Sequence, residues 1–407
     1  MLLSMLRIPR GIAFIYGGMK MEWIQEAEQD LEHLKEVRAM IHRHPEPGNR
    51  EVQTAETIER EMHACGIETF RPLETAVVGT LEGKRPGKCV ALRADMDALP
   101  ITEETGCPSA SEVPGMMHAC GHDFHMAAAI GAARLLSRHR DELAGTVRFL
   151  FQPDEEGNGG AQRMIRAGVL DEPYTDAVFG MHVSPELPAG TAGFRSGKFY
   201  AASNTFELAI HGKSCHGAQP EKGVSALLAA AEAVQTAEAL RKQLEERFGR
   251  VVISFGILQA GTASNIIPDR AEVHGIIRTL GPEARREVLS AFRSAIEETC
   301  ERLGAPADVE LYESYPGIVN PEWETAFAEA SALRQLGKDR IVRIAEPTMT
   351  TEDFGFFVQE RPGSFWHFGV GGEHPLHNSR FYPADALLPT AAALHAGMLY
   401  DYLMEEK

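Results

Sequence analysis

From residue 21 to about residue 183, apolar stretches typical of strands alternate with stretches of helical spacing. Near-continuous apolar stretches at 89–92, 146–151 and 177–181 are typical of strands buried on both faces. The stretch 124–139 is rich in alanine and leucine and predicts a helix. Helical spacing is also present at 22–41, 51–65 and 160–167. Alternating strands and helices predict the α/β class: a mainly parallel sheet with helices on both faces.

The pattern changes in the middle of the chain, where Phe206, Leu208 and Ile210 alternate with more polar residues. This period of two is typical of a half-exposed strand. The elements predicted after it are a helix at 227–244, strands at 251–258 and 271–280, a helix at 282–303 and a strand at 309–315. Pro282 and Gly304 suit the two ends of the second helix. The order β-α-β-β-α-β predicts a small ferredoxin-like α+β sandwich.

These two patterns divide the chain into an α/β domain and a domain inserted into it. We place the inserted domain at 194–316, so that 21–193 and 317–407 form the two parts of the α/β domain. Residues 1–20 contain a short, glycine-rich apolar stretch without the cleavage site of a secretory signal. We therefore expect a disordered N-terminus over residues 1–20.

The charge of the chain indicates which classes of partner it can bind, and its cysteines indicate its cellular location. The 407 residues include 40 Lys and Arg against 58 Asp and Glu, a formal charge of −18. This excess of acidic residues argues against nucleic acid and anionic membranes as partners, because both bind to basic protein surfaces. No apolar run reaches membrane-spanning length. The six cysteines are scattered without C-x-x-C pairs, which favours reduced thiols and a cytoplasmic location.

Potential metal ligands follow three of the predicted strands. Asp95 and Asp97 follow the first, Glu155 and Glu156 the second, and His182 the third. In an open α/β sheet, ligands bind beyond the carboxyl ends of the strands, so these groups are expected at one rim. Taken singly, each also fits an ordinary solvated or hydrogen-bonded residue.

The segment 118–125 reads His-Ala-Cys-Gly-His-Asp-Phe-His and is the strongest candidate for chemistry. Burying so many polar groups is costly without a positively charged partner. Thiolate, imidazole and carboxylate suit zinc, cobalt or manganese, and imidazole with thiolate favours zinc. In the neighbouring Glu155–Glu156 pair, one carboxylate can bind metal while the other takes a proton from water. A flexible polar loop is the alternative interpretation of 118–125.

Other catalytic motifs are missing from the sequence. It contains no G-x-x-x-x-G-K-[ST] phosphate loop, no H-E-x-x-H zinc helix and no G-x-S-x-G nucleophile elbow. Cys215 and His216 are adjacent in sequence, and adjacent residues seldom achieve nucleophile–base geometry.

Several ordered segments together resemble one family, the aminoacylase and carboxypeptidase metallopeptidases, and within it the amidohydrolase subgroup. That subgroup includes hippurate, indole-acetyl-amino-acid, N-acetyldiaminopimelate and aminobenzoyl-glutamate hydrolases. The segments that carry the resemblance are 42–46, 93–100, 118–125, 151–157, 265–268 and 352–354. The resemblance covers nearly all of the chain from about residue 30. It implies a zinc-peptidase-like α/β domain with an inserted lid domain.

The resemblance also implies a site that holds two divalent metal ions. The implied ligands are Cys120, His122, Glu156, His182 and His377. Cys120 matches the bridging position, and Glu155 matches the general base. Asp97 matches a carboxylate that orients the ligands. His125 is left out of the ligand set, as a supporting or packing residue.

In this family the inserted domain acts as a lid and as a dimerisation module, which implies a homodimer. His216 matches a lid histidine that stabilises the developing oxyanion, often from the partner subunit. Asn265 and Arg278 match positions that grip the substrate, and Arg278 suits a carboxylate through its forked guanidinium. An exposed strand residue is the alternative for Arg278. Segment 213–220 lacks the subgroup's glycine-rich pattern. Different segments resemble different branches of the subgroup, so the sequence does not identify the substrate.

The resulting prediction is a metal-dependent amidohydrolase that cleaves the amide of N-acyl amino acids or related small conjugates. The resemblance implies attack by a metal-bridging hydroxide. A di- or tripeptide carboxypeptidase on the same site is the first alternative. A protein that binds amino-acid conjugates without turnover is the second, but every implied ligand and the base are present.

Overall fold

The computed structural model describes residues 22–405. In chain order the strands are β1 (Glu68–Phe70), β2 (Val77–Glu82), β3 (Arg85–Asp95), β4 (Ala144–Gln152), β5 (Ala177–Ser184), β6 (Ala192–Phe194), β7 (Gly197–Lys198), β8 (Ala202–His211), β9 (Cys215–His216), β10 (Val252–Ala260), β11 (Ile266–Ile267), β12 (Arg270–Thr279), β13 (Ala307–Glu313), β14 (Val319–Asn320), β15 (Ile341–Arg343) and β16 (Gly363–Gly369). The α-helices are α1 (Trp23–Glu28), α2 (Leu31–Arg43), α3 (Val52–Ala64), α4 (His122–Arg138), α5 (Gly160–Arg166), α6 (Ala226–Phe248), α7 (Pro282–Arg302), α8 (Glu322–Leu336), α9 (Gly355–Glu360) and α10 (Leu388–Met404).

The described chain forms two compact units. The first contains the chain up to Gly197, Asn320–Ala345 and the part from Phe356 onward. The second contains Lys198–Val319 and Glu346–Gly355.

The first unit is built on an eight-stranded sheet with the order β1-β2-β4-β3-β5-β16-β6-β15. Strands β4, β3, β5 and β16 run parallel at its centre, while β1, β2 and β6 add antiparallel pairings. β5 is buried along its whole length and β3 over its last seven residues, which explains their continuous apolar sequences. The predicted mainly parallel α/β sheet is confirmed.

Helix α4 is firmly packed in the core of the first unit. Its alanines at 127–129 are buried, and it lies against α10, which is buried along most of its length. A Cβ added at Gly131 would lie 2.6 Å from the Cβ of Ala392, so the glycine allows the two helices to approach closely. This packing fixes the position of the first turn of α4, where His122 lies.

The second unit has an antiparallel sheet with the order β10-β12-β8-β13, against which α6 and α7 pack. Its core includes Phe206, Leu208, Ile210 and Phe292. The main elements follow the predicted order β-α-β-β-α-β. α7 begins at Pro282, and Gly304 follows its end with φ 73°, as the capping pattern predicted.

The structure differs from the sequence-based expectations at the first helix and in the domain partition, where the second unit contains Lys198–Val319 rather than 194–316. The helical stretch 22–41 is two helices, because the chain turns at Asp30, whose carboxylate binds Arg134 and Arg138 of α4. The segment 346–355 belongs to the second unit, whereas the sequence-based partition assigned it to the α/β domain. Thr348 N donates to Phe199 O at 2.9 Å, a backbone pairing between distant segments that no local pattern reveals.

Two further expectations concern the N-terminus and membranes. The predicted disordered stretch 1–20 lies outside the described residues. Between residues 22 and 405, no helix has both the length and the apolarity needed to cross a membrane.

Candidate metal centre

The residues implied as metal ligands come from separate elements of the first unit. Glu156 follows β4, His182 lies in β5, and Cys120 lies in the turn just before α4, which begins at His122. His377 belongs to the loop after β16 and has φ 63°, an uncommon value for a residue other than glycine. Because β4, β3 and β5 are parallel neighbours, their carboxyl ends lie at one edge of the sheet, as predicted.

Cys120 lies at the centre of this group. Its Sγ is 3.3 Å from His182 Nε2 and 3.3 Å from His377 Nε2. His377 Nε2 lies 2.8 Å from Glu156 Oε1. Three overlapping sets have donor atoms within 4.8 Å of one another: Cys120–His122–His182, Cys120–Glu156–His377 and His122–Glu155–Glu156. The structure therefore brings together all five implied ligands and the implied base.

The electrostatics of this group suit a divalent cation. Burial, together with the Glu156 and Glu155 carboxylates, raises the pKa of the Cys120 thiol well above its usual range. Burial likewise lowers the pKa of His182 well below its usual range, so its imidazole is neutral, as a metal ligand must be. His122 Nε2 is buried without a hydrogen-bond partner in the described part of the chain. The donor set therefore fits a divalent ion, which thiolate, imidazole and carboxylate groups bind.

Asp97 orients two members of the group. Its backbone carbonyl lies 2.9 Å from His122 Nδ1, and its Oδ2 accepts a hydrogen bond from Glu156 N at 3.0 Å. These contacts leave His122 Nε2 directed away from Asp97. His182 is oriented in the same way, because its Nδ1 lies 2.8 Å from the carbonyl of Val183 and its Nε2 faces Cys120. Such support fixes the tautomer and ring direction of a ligating histidine.

His125 lies beside the group but has both ring nitrogens occupied. Its Nδ1 is 2.6 Å from Asp95 Oδ1, and its Nε2 accepts a hydrogen bond from Val183 N at 3.0 Å. Arg93 holds the other oxygen of Asp95 at 2.5 Å. His125 therefore ties α4 to β3 and β5, which is why it is unsuited to bind metal. Arg93 was not among the candidate residues from the sequence.

The loop that carries Glu155 is held by a second set of residues that the sequence did not indicate. Asp154 has φ 58°, and its N–H donates to Glu51 Oε1 at 2.9 Å across 103 residues of chain. Asp154 Oδ2 accepts hydrogen bonds from Asn49 at 2.6 Å and from Arg163 at 3.2 Å. Glu51 is fully buried, and burial raises its pKa to about 7. Nothing local distinguishes these acidic residues from solvated ones.

The implied substrate-binding residues belong to the second unit. His216 in β9 pairs with Ile266 in β11, and Gly217 N donates to Asn265 O at 2.7 Å, so His216 and Asn265 are neighbours. Arg278 lies in β12, and its NH1 nitrogen is buried without a hydrogen-bond partner among residues 22–405. Because the implied metal ligands lie in the first unit, action of these three residues at the same site stays a prediction.

Comparison with known proteins gives a consistent family match. Residues 91–401 match the Peptidase family M20/M25/M40. An N-acetylcysteine deacetylase of Bacillus subtilis is 37% identical over 366 residues, which are 89% of this chain and 95% of that protein. Thermostable carboxypeptidase 1 of Saccharolobus solfataricus is 34% identical, over 92% of this chain and 98% of that protein.

A solved structure shows the same architecture. The crystal structure of a Bacillus subtilis protein, described as a dinuclear metal binding peptidase from the M20 family, superposes with a TM-score of 0.82. That protein is 36% identical, and the match covers 93% of this chain and 100% of the solved one.

Proposed function

The chain belongs to the Peptidase family M20/M25/M40, and from this premise we propose that it hydrolyses the amide bond of N-acyl amino acids or related small conjugates. One observation carries the proposal: Cys120, His122, Glu156, His182 and His377 converge from four separate segments, with Glu155 beside them. A chance arrangement of solvated loops would not direct a thiol, three imidazoles and a carboxylate at one another.

We propose that these five residues would hold two divalent metal ions, and Cys120 belongs to both overlapping donor sets, Cys120–His122–His182 and Cys120–Glu156–His377. When bound, such ions polarise a carbonyl oxygen and lower the pKa of water. Zinc, manganese and cobalt are the candidates, and the thiolate–imidazole donor set favours zinc.

The chain's own residues account for the proton transfers. Glu155 accepts a proton from the attacking water and delivers it to the leaving amine, a task suited to a carboxylate that neighbours the ligand Glu156. Asp97 holds the His122 ring and the backbone of Glu156 in position through two hydrogen bonds. From the second unit, His216 stabilises the developing oxyanion, while Asn265 and Arg278 bind the substrate. NH1 of Arg278 is buried without a hydrogen-bond partner among the described residues, which supports a role in holding a carboxylate.

A di- or tripeptide carboxypeptidase is the second candidate function. It would use the same residues, and a relative named as a carboxypeptidase is 34% identical to this chain. The experiment that separates the two measures amine release from N-acetyl, N-benzoyl and N-succinyl amino acids, aminobenzoyl-glutamate and dipeptides. It is run with added zinc, manganese or cobalt and again after chelation. Chelator-sensitive release from acyl conjugates supports the proposal, and release from dipeptides alone supports the carboxypeptidase.

A test of the base uses Glu155→Gln. We expect the variant to keep its metal and fold but to lose activity by about 10²–10⁴-fold, the usual contribution of a positioned general base. Glu186→Gln, at an exposed position, is the matched control and should keep full activity. Near-normal turnover in Glu155→Gln would show that another group is the base. Conjugate binding by calorimetry without turnover in the wild type would indicate a non-catalytic binding protein.

We also propose a homodimer formed through the second unit, in a cytoplasmic protein without nucleic-acid or membrane partners. The second unit exposes apolar side chains that suit an interface, including Leu228 at 66% and Leu258 at 47% exposure. All six cysteines are free thiols, in keeping with a reducing compartment. Light scattering on the purified chain tests the dimer, and a monomer mass would contradict it.

A further inference from the structure

A second group of metal-binding side chains lies outside the candidate metal centre. His42 is in the last turn of α2, whereas Glu103 and Cys107 belong to the loop between β3 and α4. One donor atom of each lies within 4.8 Å of the other two. We propose that this His42–Glu103–Cys107 cluster is a separate binding site for a divalent ion of the zinc class.

Two distances in the cluster are close to those between the ligands of a zinc ion. His42 Nε2 lies 3.3 Å from Glu103 Oε1, and Cys107 Sγ lies 3.7 Å from the same oxygen. A tetrahedral zinc ion with bonds of about 2.0–2.3 Å holds its donors about 3.3–3.6 Å apart. All three donor atoms lie within 4.8 Å of one another, and the Thr105 hydroxyl, which also donates to Glu103 Oε1, would have to give way to an ion.

Two of the three donors are already oriented. His42 Nδ1 lies 2.9 Å from Asp123 Oδ2, and the same oxygen accepts a hydrogen bond from Arg38 Nε at 2.7 Å. A carboxylate behind the imidazole is the arrangement that orients metal-binding histidines. Glu103 is fixed by a hydrogen bond from Ser111 N to its Oε2 at 2.6 Å. Cys107 is only half-buried, which gives an ion access from solvent.

A divalent ion can take the place of two protons that the cluster now holds. Burial acts to lower the pKa of His42, but Asp123, followed by Cys107 and Glu103, raises it to about 11. The protonated imidazole and the Cys107 thiol thus both direct hydrogen atoms at Glu103 Oε1. One divalent ion in place of two protons leaves the net charge of the cluster unchanged. No additional buried charge has to be stabilised.

The test compares zinc content between the wild type and a Cys107→Ala variant. Both are stripped with a chelator and dialysed against the same series of buffered zinc concentrations, and bound zinc per chain is measured by atomic emission. We expect the variant to bind one zinc fewer than the wild type at saturation. Cys65→Ala, which removes another half-buried free cysteine, is the control and should bind as much as the wild type.

A Cys107→Ser variant retains the size of the side chain and guards against loss of folding in Cys107→Ala. Equal zinc content in the wild type and both Cys107 variants would overturn the proposal. Hydrogen–deuterium exchange gives a second measurement, because zinc in the cluster should slow exchange at 103–111 in the wild type but not in Cys107→Ala. Unchanged exchange at 103–111 in the wild type would also overturn it. Neither measurement depends on amide hydrolysis.

Discussion

Replacing Arg38 with methionine is expected to destabilise the first unit by about 3–5 kcal/mol, because the change breaks a buried ion pair. The side chains of Arg38 and Asp123 are both 0% exposed, and Arg38 Nε donates to Asp123 Oδ2 at 2.7 Å. Arg38 NH1 donates to the Pro383 carbonyl at 2.6 Å and to Asp385 at 2.5 Å. The guanidinium also lies 4.1 Å from the ring centre of Tyr382.

The size of the expected loss follows from what remains around Asp123. Its Oδ2 is bound by Arg38 and His42, and its Oδ1 has no hydrogen-bond partner within residues 22–405. Without Arg38, the His42 imidazolium alone compensates the buried carboxylate. Methionine fills most of the vacated volume, so the loss reflects uncompensated charge rather than a cavity. Exposed ion pairs contribute only about 0–1 kcal/mol, which makes burial the decisive variable.

The assay is urea unfolding of metal-stripped protein, followed by circular dichroism. Lys84→Met is the matched control, because Lys84 and Asp141 form a 2.7 Å pair whose side chains are 65% and 70% exposed. We expect the control to lose less than about 1 kcal/mol. The double variant Arg38→Met/Asp123→Asn should be more stable than Arg38→Met alone, since it removes the buried negative charge of Asp123 that Arg38 no longer compensates. A loss in Arg38→Met no larger than in Lys84→Met would refute this reasoning.

Two further substitutions test the metal centre and the loop beside it. Cys120→Ala should lower both the metal content and the melting temperature, because Cys120 Sγ contacts two other proposed ligands. Cys300→Ala, which changes another buried cysteine, is the control and should retain its metal. Full metal content in Cys120→Ala would contradict the proposed ligand set. Gly160→Ala should cost about 1–3 kcal/mol and reduce activity, because a Cβ there would overlap the Pro153 carbonyl in the loop that carries Glu155. Gly256→Ala, where nothing lies within 4 Å of the added Cβ, is its control in thermal unfolding, and an equal effect of the two substitutions would argue against overlap.

Local sequence patterns predicted the main strands and helices of both units and the edge of the sheet where Glu156 and His182 lie, whereas the full set of implied ligands came from the family resemblance. The apolar runs of β3, β4 and β5 predicted a parallel sheet, and that sheet in turn predicted where Glu156 and His182 would meet. This reasoning succeeds because hydrophobic periodicity reflects which faces of an element are buried. The parallel direction of neighbouring strands then brings their carboxyl ends to one edge.

Only the tertiary structure shows which polar side chains contact one another. His122 and His125 lie in the same short segment, yet Nε2 of His125 accepts a hydrogen bond from Val183 N, while Nε2 of His122 is buried without a hydrogen-bond partner among residues 22–405. His377 contacts Cys120 across 257 residues of chain, and Arg38 contacts Asp123 across 85. Spacing along the chain does not encode such pairings, because they depend on how distant segments pack. Burial then determines which polar groups must find a charged partner.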